Sequence, residues 1–328
     1  MNALVTGGGG FLGRAIVEQL VARGDRVEIF SRGRYPELES MGVPCRQGDL
    51  ADEAAVRAAC VGKDTVFHVA ARVGQAGTQR DFWQANVVGT DHVIEACRAQ
   101  GVARLVFTSS PSVIFDGKDH RGVDESYPYP SRHLSHYGET KAEAERRVLA
   151  ACDSSLFTTA LRPHIVFGPR DSSLLPRLVE RAKSGQLVRI GDGSNEIDVC
   201  YVDNAAEAHL AAADSPAAAG KAYFITQGEP VRLWPWIDEL LVGLGLPPVK
   251  RSVPFLAAFA LGAAIDAVHE TLRLRGEPRL SRFIASELSH THFYDISAAR
   301  RDLGWRPRVT TREGMARLFA WWKGRGQG

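Results

Sequence analysis

At 328 residues the chain can bury a sizeable core and holds one large domain or one and a half. A formal net charge of +2, with no basic stripe interleaved with aromatics, removes nucleic acid from the expected partners and favours small-molecule chemistry. Five cysteines (Cys45, Cys60, Cys97, Cys152, Cys200) stand singly, without a C-x-x-C pair or a histidine cluster at zinc spacing, so they read as core residues in a reducing compartment and no metal site is predicted.

Short apolar runs alternate with amphipathic segments through the first half: "ALVT", "RAIVEQLVARG", "RVEIF", "VPCRQGDL", "AAVRAACVG", "TVFHVA", "DHVIEACRAQG", "RLVFTSS" and "LFTTALRP". Strand, helix, strand repeated in this way predicts an α/β fold, a doubly wound parallel sheet covered on both faces. Gly24, Gly62 and Gly101 fall where left-handed caps would close helices. The chain opens on "MNALVTGGGG", which has neither a basic n-region nor a long apolar stretch, so a cytoplasmic location is expected, with membrane association as the alternative.

Between the first strand and the first helix lies "TGGGGFLG". Gly7 allows the tight turn, Gly10 lets a pyrophosphate approach backbone N–H groups, and Gly13 lets helix and strand pack closely, with Phe11 and Leu12 between them also expected to bind the cofactor. The helix N-terminus then faces the phosphates. This context predicts dinucleotide binding.

The second strand ends in "EIFSRGRYPE", with Ser31, Arg32 and Arg34 where an acidic ribose ligand would otherwise sit. Glu28 lies too early in the strand to serve. Guanidinium groups suit a 2'-phosphate, so NADP(H) is the expected cofactor and NAD(H) the alternative; surface arginines on a loop are the plainer reading.

"RLVFTSSPSVIF" places Ser109 and Ser110 at a strand's carboxyl end, where doubly wound folds hold their ligands, although such serines are also common turn formers. "HYGETK" then sets Tyr137 four residues before Lys141, on one face of a predicted helix. Bringing a phenol from about 10 to about 7 requires roughly 4 kcal/mol. A cation about 4 Å away at an effective dielectric near 20 supplies about that much, so the lysine is expected to tune the phenol. Alone, the pair also fits a solvated helix face.

After about residue 165 the rhythm loosens. "DSSLLPRLVERAKSG" predicts a helix, and "EIDVCYVDNAAEAHLAAAD" a strand and then a helix capped near Asp203, returning to the main sheet. The expected division is a dinucleotide domain over 1–165 with a return over about 196–226, and a smaller, partly interleaved substrate region over 166–195 and 227–328. The most apolar stretch, residues 253–272, falls short of a reliable membrane span. It reads as a helical hairpin or amphipathic helix lining a lipid pocket, as a docking element for a membrane or enzyme complex, or as ordinary core. Arg273, Arg275 and Arg279 are candidates for a substrate carboxylate or a solvated basic face. His290, His292 and Asp295 make no convincing metal site.

The glycine loop, "GDL" at 48–50, "HVAA" at 68–71, Asn86 in "QANVVGT", the serines, Y-x-x-x-K and "LRPHIVFGP" occur in that order. Together with the terminal "ARRDLGWRP" they resemble the extended short-chain dehydrogenase/reductase superfamily over nearly the whole chain, and within it the 3-beta-hydroxysteroid dehydrogenase group. "TSSPSVIFDG" and "TTALRPHIVFGPRD" are similar to sterol-4-carboxylate 3-dehydrogenases; "RGRYPELESMGV", "GDGSNEIDVCYVDNAA" and "LRLRGEPRLSRFIASEL" are closer to bacterial 2-alkyl-3-oxoalkanoate reductases. The resemblance implies a Rossmann fold in which Asp49 and Leu50 flank the adenine, Ala70 and Ala71 line the cofactor, and Pro163 stands beside the nicotinamide. It implies Ser110, with Ser109 a close rival, as the catalytic serine, Tyr137 as general acid, Lys141 on the nicotinamide ribose, Asn86 as a helix contact, and a homodimer. The implied activity is NAD(P)-dependent interconversion of a ketone and a secondary alcohol beta to a carboxylate on a hydrophobic small molecule. A sterol dehydrogenase, a nucleotide-sugar epimerase and a non-enzymatic cofactor sensor are the alternatives.

Overall fold

Seven strands make one parallel sheet: β1 (Asn2–Thr6), β2 (Arg26–Ser31), β3 (Cys45–Gln47), β4 (Thr65–His68), β5 (Arg104–Thr108), β6 (Phe157–Pro163) and β7 (Ala222–Ile225). They lie side by side in the order β7-β6-β5-β4-β1-β2-β3. The computed structural model describes residues 1–272, 274 and 276–325.

Side chains alternate between two cores, as the pleat requires. Ala3, Val5, Ile29, Phe67 and Val106 join the core beneath helices Phe11–Arg23 and Val202–Asp214. Leu4, Phe30, Val66, Leu105 and Phe107 face the core beneath helices Glu53–Ala59, Gly89–Gln100 and His136–Ala150. Each fully buried Leu, Ile, Val or Phe contributes about 1.5–3 kcal/mol, so both faces are strongly held. The order reverses at β1, and the crevice between the carboxyl ends of β1 and β4 is the switch point where such sheets bind ligands.

The predicted doubly wound architecture is present, and Gly24 and Gly101 are left-handed caps with φ of 88° and 67°. Two sequence expectations are corrected. The strand within residues 196–201 does not return to the main sheet: Glu196–Ile197 pairs with Val231–Arg232 and His292–Tyr294, and Cys200–Tyr201 pairs with Val166–Phe167. β7 closes the sheet instead, and Asp203 does not cap the following helix, whose N-cap is Tyr201 without a side-chain bond. The small mixed sheet also takes in His120–Val123, so the first half of the chain contributes an edge to the second. Asn204 fastens the terminal segment: its Oδ1 accepts from the Arg308 and Val309 N–H groups, and its carbonyl accepts from Trp305 Nε1.

The apolar stretch forms one helix, Phe255–Thr271, rather than a hairpin. Gly262 lies against the Ser281 and Arg282 backbone, where a Cβ would approach to 2.6 Å. Its outer side leaves Leu256 77% and Leu261 57% exposed. Among the described residues, no helix is long and apolar enough to cross a membrane.

Candidate active site

The glycine loop joins β1 to helix Phe11–Arg23 at the switch point. Gly7 has φ +67°, and a Cβ there would come within 2.9 Å of the Ala70 backbone at the exit of β4. A Cβ on Gly13 would overlap the Gly7 carbonyl oxygen. Gly10 is the N-cap and brings no side-chain bond to the helix N-terminus, leaving the N–H groups of Phe11, Leu12 and Gly13 on the crevice side. Beside it, Ser31 carries a buried hydroxyl without a hydrogen-bond partner. An exposed helix N-terminus behind an uncluttered loop, with an orphaned hydroxyl at the next strand, fits a dinucleotide pyrophosphate and ribose.

Arg32 and Arg34 are exposed just beyond Ser31, and neither has an ion pair among the described residues. The Tyr35 ring rests on Gly9 and Gly33. Glu28 is engaged by Arg46 and Lys63 at 2.8 and 2.7 Å and is removed from the ribose position. Asp49 accepts the Ala51 N–H at 3.0 Å as a turn cap, and Leu50 packs against Gly89 while its carbonyl holds His92.

A buried chain of hydrogen bonds fixes the β4 side. Thr90 donates to the Asn86 carbonyl at 2.6 Å, so it accepts from His68 Nε2 at 3.0 Å. His68 Nδ1 then accepts from Thr6 at 2.7 Å, and Thr6 accepts from the Ala70 N–H at 3.2 Å. Burial, reinforced by the Lys141 charge, holds His68 neutral by lowering its pKa to about 3. Ala70 is thereby held against Gly7 of the glycine loop. The Asn86 side chain, in a π-helical turn at Gln84–Val88, ties the Arg72 backbone to Thr140 of the next helix.

That helix, His136–Ala150, begins at Ser135, whose hydroxyl caps the Gly138 N–H. Tyr137 and Lys141 share one face. Ser110 ends the β5 exit and accepts from both the N–H and the hydroxyl of Ser112, at 3.3 and 3.0 Å. Its own proton is left to donate outward, on the Tyr137 side, where it lowers the phenol's pKa. Ser109 is turned away; its buried hydroxyl approaches Glu145 without reaching hydrogen-bond geometry.

The expected tuning of the phenol by the lysine is not what the geometry does. Lys141 Nζ donates to the Thr108 carbonyl at 2.6 Å and stands 3.8 Å from the Phe107 ring centroid. Burial lowers the ammonium to about 7, against the pull of Glu145. A partly discharged lysine committed to a carbonyl offers the phenol little. Burial dominates Tyr137 and pushes it up to about 12, with Ser110 opposing and Glu287 adding to the rise.

Several residues of the site carried no reading in the sequence. Glu145 lies one turn beyond Lys141 and is clamped by Arg162 from β6 at 2.6 Å and by Tyr129 at 2.6 Å. Burial opposes its charge, and Arg162 holds it below the usual carboxylate range. The Tyr137, Lys141, Glu145 spacing of four and four was available as a signal. Pro163 ends β6 and is followed by His164 and Ile165; the latter, a β-branched residue at φ +36°, is strained. His164 bonds Asp198 at 2.5 Å and His292 at 3.1 Å. His292 is thus part of a buried network, and no metal cluster exists among the described residues.

Beside the start of the helix that carries Tyr137 lies a cavity of about 540 Å³ between Ser135, His136 and Glu139 on one side and Asp266, His269 and Arg282 on the other. Helix Phe255–Thr271 therefore turns polar groups, not its leucines, toward this cavity. Arg279 is exposed and outside it; Arg273 and Arg275 lie outside the described residues.

A doubly wound dinucleotide sheet with serine, tyrosine and lysine gathered at its carboxyl edge defines a short-chain dehydrogenase/reductase. Residues 4–255 match the 3-beta hydroxysteroid dehydrogenase/isomerase family, and the chain belongs to it as an NAD(P)-dependent oxidoreductase. It is 49% identical to a 2-alkyl-3-oxoalkanoate reductase of Stenotrophomonas maltophilia, over 98% of this chain and 99% of the relative. It is 35% identical to the decarboxylating sterol-4-alpha-carboxylate 3-dehydrogenase of Mus musculus, over 95% of this chain and 88% of that one. The solved UDP-glucose 4-epimerase of Thermus thermophilus, a complex with NAD, is similar with a TM-score of 0.74 at 26% identity, over 99% of both chains.

Proposed function

We propose that the protein is an NADPH-dependent reductase of 2-alkyl-3-oxoalkanoates, converting a ketone beta to a carboxylate into a secondary alcohol on a molecule with long alkyl arms. The observation that carries this reading is the 49% identity to a 2-alkyl-3-oxoalkanoate reductase, with almost nothing of either chain left over. The loop glycines, Ser31, Arg32 and Arg34 would hold the dinucleotide, the arginines favouring the 2'-phosphate form. Asp49 and Leu50 would border the adenine, and Pro163 the nicotinamide. The bound dinucleotide supplies the hydride.

Ser110, whose proton is free to donate, holds the ketone oxygen as negative charge grows on it. Tyr137 delivers a proton to the same oxygen. Lys141, fixed at the Thr108 carbonyl, carries its remaining charge toward the cofactor ribose. The second reading, a sterol-4-carboxylate dehydrogenase, is supported by the 35% identity to the mouse protein and uses the same beta relationship of ketone and carboxylate. An NADPH-oxidation screen against 2-alkyl-3-oxo acids and 3-oxosteroids, beside a direct assay for conversion of UDP-glucose to UDP-galactose with NAD, separates the readings. Turnover confined to the first class is expected, and turnover confined to either of the others overturns the proposal.

A further inference from the structure

Helix Arg282–Glu287, capped by Ser281, packs its Phe283 edge-on against Phe115 at 5.9 Å between ring centroids. Ser286 and Leu134 both border Gly117. The helix therefore rests on the loop that follows Ser110 and on the segment that leads into Tyr137. Its last residue, Glu287, is half-buried on this side. The Glu287 carbonyl is held by His292 Nε2 at 2.8 Å, and His292 is held in turn by His164, the residue after Pro163. Three elements of the active-site wall thus fix the position of one acidic residue.

The Glu287 carboxyl has no hydrogen bond or ion pair among the described residues. Its charge reaches the phenols of Tyr137 and Tyr294 and raises both. The basic groups nearby are engaged elsewhere: Arg282 with Asp266 at 3.0 Å, His164 with Asp198 at 2.5 Å, and His120 with Asp116 at 3.1 Å. His292 is kept neutral by burial, its pKa lowered to about 3. A carboxyl on the wall of an active site with no cation to neutralise it is suited to the protonated state.

Resting on the functional reading above, we infer that Glu287 is a substrate-binding acid: neutral, it donates a hydrogen bond to the carboxylate of the 3-oxo or 3-hydroxy acid whose C3 oxygen meets Tyr137 and Ser110. In such acids the ketone and carboxyl carbons are separated by a single carbon, so a donor near the Tyr137 hydroxyl is placed for the second group when the first is bound. An O–H donor to a carboxylate forms a strong, charge-assisted bond, whereas an ionised Glu287 repels the same ligand. Burial pushes Glu287 up to about 7, so the switch falls within the working range.

The test is the pH dependence of KM for a 2-alkyl-3-hydroxy acid oxidised with NADP+, beside its methyl ester. From about pH 6 to about pH 8.5, KM for the acid is expected to rise roughly thirtyfold, as one ionisation near 7 dictates, while KM for the ester stays level. Glu287→Gln, which keeps a donor and cannot ionise, should flatten the acid's profile. A wild-type KM that moves equally for acid and ester, or a rise that survives Glu287→Gln, overturns the inference while leaving the reductase reading standing. Absence of turnover with both acid and ester, in oxidation with NADP+ and in reduction of the matching 3-oxo acid and 3-oxo ester with NADPH, overturns that reading and the inference together.

Discussion

Replacing Lys141 with methionine should stabilise the cofactor-free protein at neutral pH and abolish its activity. Lys141 is 2% exposed, and burial moves its ammonium from 10.5 to about 7. At about 1.4 kcal/mol per pH unit, folding a charged lysine into this place costs on the order of 5 kcal/mol. The folded pKa lies below the unfolded one, so between about 7 and 10.5 the unfolded chain binds the extra proton and stability rises with pH. By about pH 9 the penalty has eased by about 2 kcal/mol. Methionine carries no such term, and its other effect, an unpaired Thr108 carbonyl costing about 1–3 kcal/mol, does not change with pH. Urea melts of wild type and Lys141→Met at about pH 7 and about pH 9 isolate the lysine, because every other titrating group cancels in the difference. The advantage of the variant should shrink by about 2 kcal/mol at the higher pH. A gap that stays constant would show that the ammonium is solvated when folded and would refute the argument. The expected result is a site that retains a costly cation for its chemistry.

Tyr137→Phe should lower kcat by about 10²–10⁴ while NADPH fluorescence titrations show binding intact, since only the proton donor is removed. Arg32→Ala combined with Arg34→Ala should weaken NADPH binding by roughly 10- to 100-fold and leave NADH unchanged, as the loss of charged hydrogen bonds to one phosphate requires. With an alcohol ester as substrate, oxidation should quicken about tenfold per pH unit across the neutral range, because it needs the phenolate, whereas ketone ester reduction should not.

The sheet was legible because parallel strands buried on both faces read as short apolar runs between amphipathic helices, and the glycine loop because its context was complete. Tyr137 and Lys141 share a face as their spacing demands, but spacing conveys direction and not depth. It could not show that Lys141 would end 3.8 Å from a phenylalanine ring centroid with its ammonium on a strand-end carbonyl. Nor could it separate Ser109 from Ser110, since adjacent residues at a strand end differ only in which side they turn to. The misplacement of residues 196–201 has a similar origin: strands two residues long carry no periodicity, and their partners lie far along the chain. Glu287 had no local signal at all; its meaning comes from what three distant segments bring beside it.

The high phenol pKa bears on the direction in which this site is built to run. A nascent alkoxide is about as basic as hydroxide, whose parent water ionises at ~15.7. A tyrosine at about 12 is therefore the stronger acid. Proton transfer from Tyr137 to the reduced substrate then runs downhill by about 5 kcal/mol, with no help from a neighbouring cation. The reverse step must first ionise the phenol, and at neutral pH that costs about 7 kcal/mol. A lysine poised to make a phenolate would serve oxidation; one anchored to Thr108 leaves the tyrosine protonated and ready to give. Ser110, with two donors on its oxygen and its proton directed outward, is arranged for the same task of receiving negative charge from a ketone. Burial is therefore no defect of this tyrosine: it keeps the proton in place until a stronger base appears within reach.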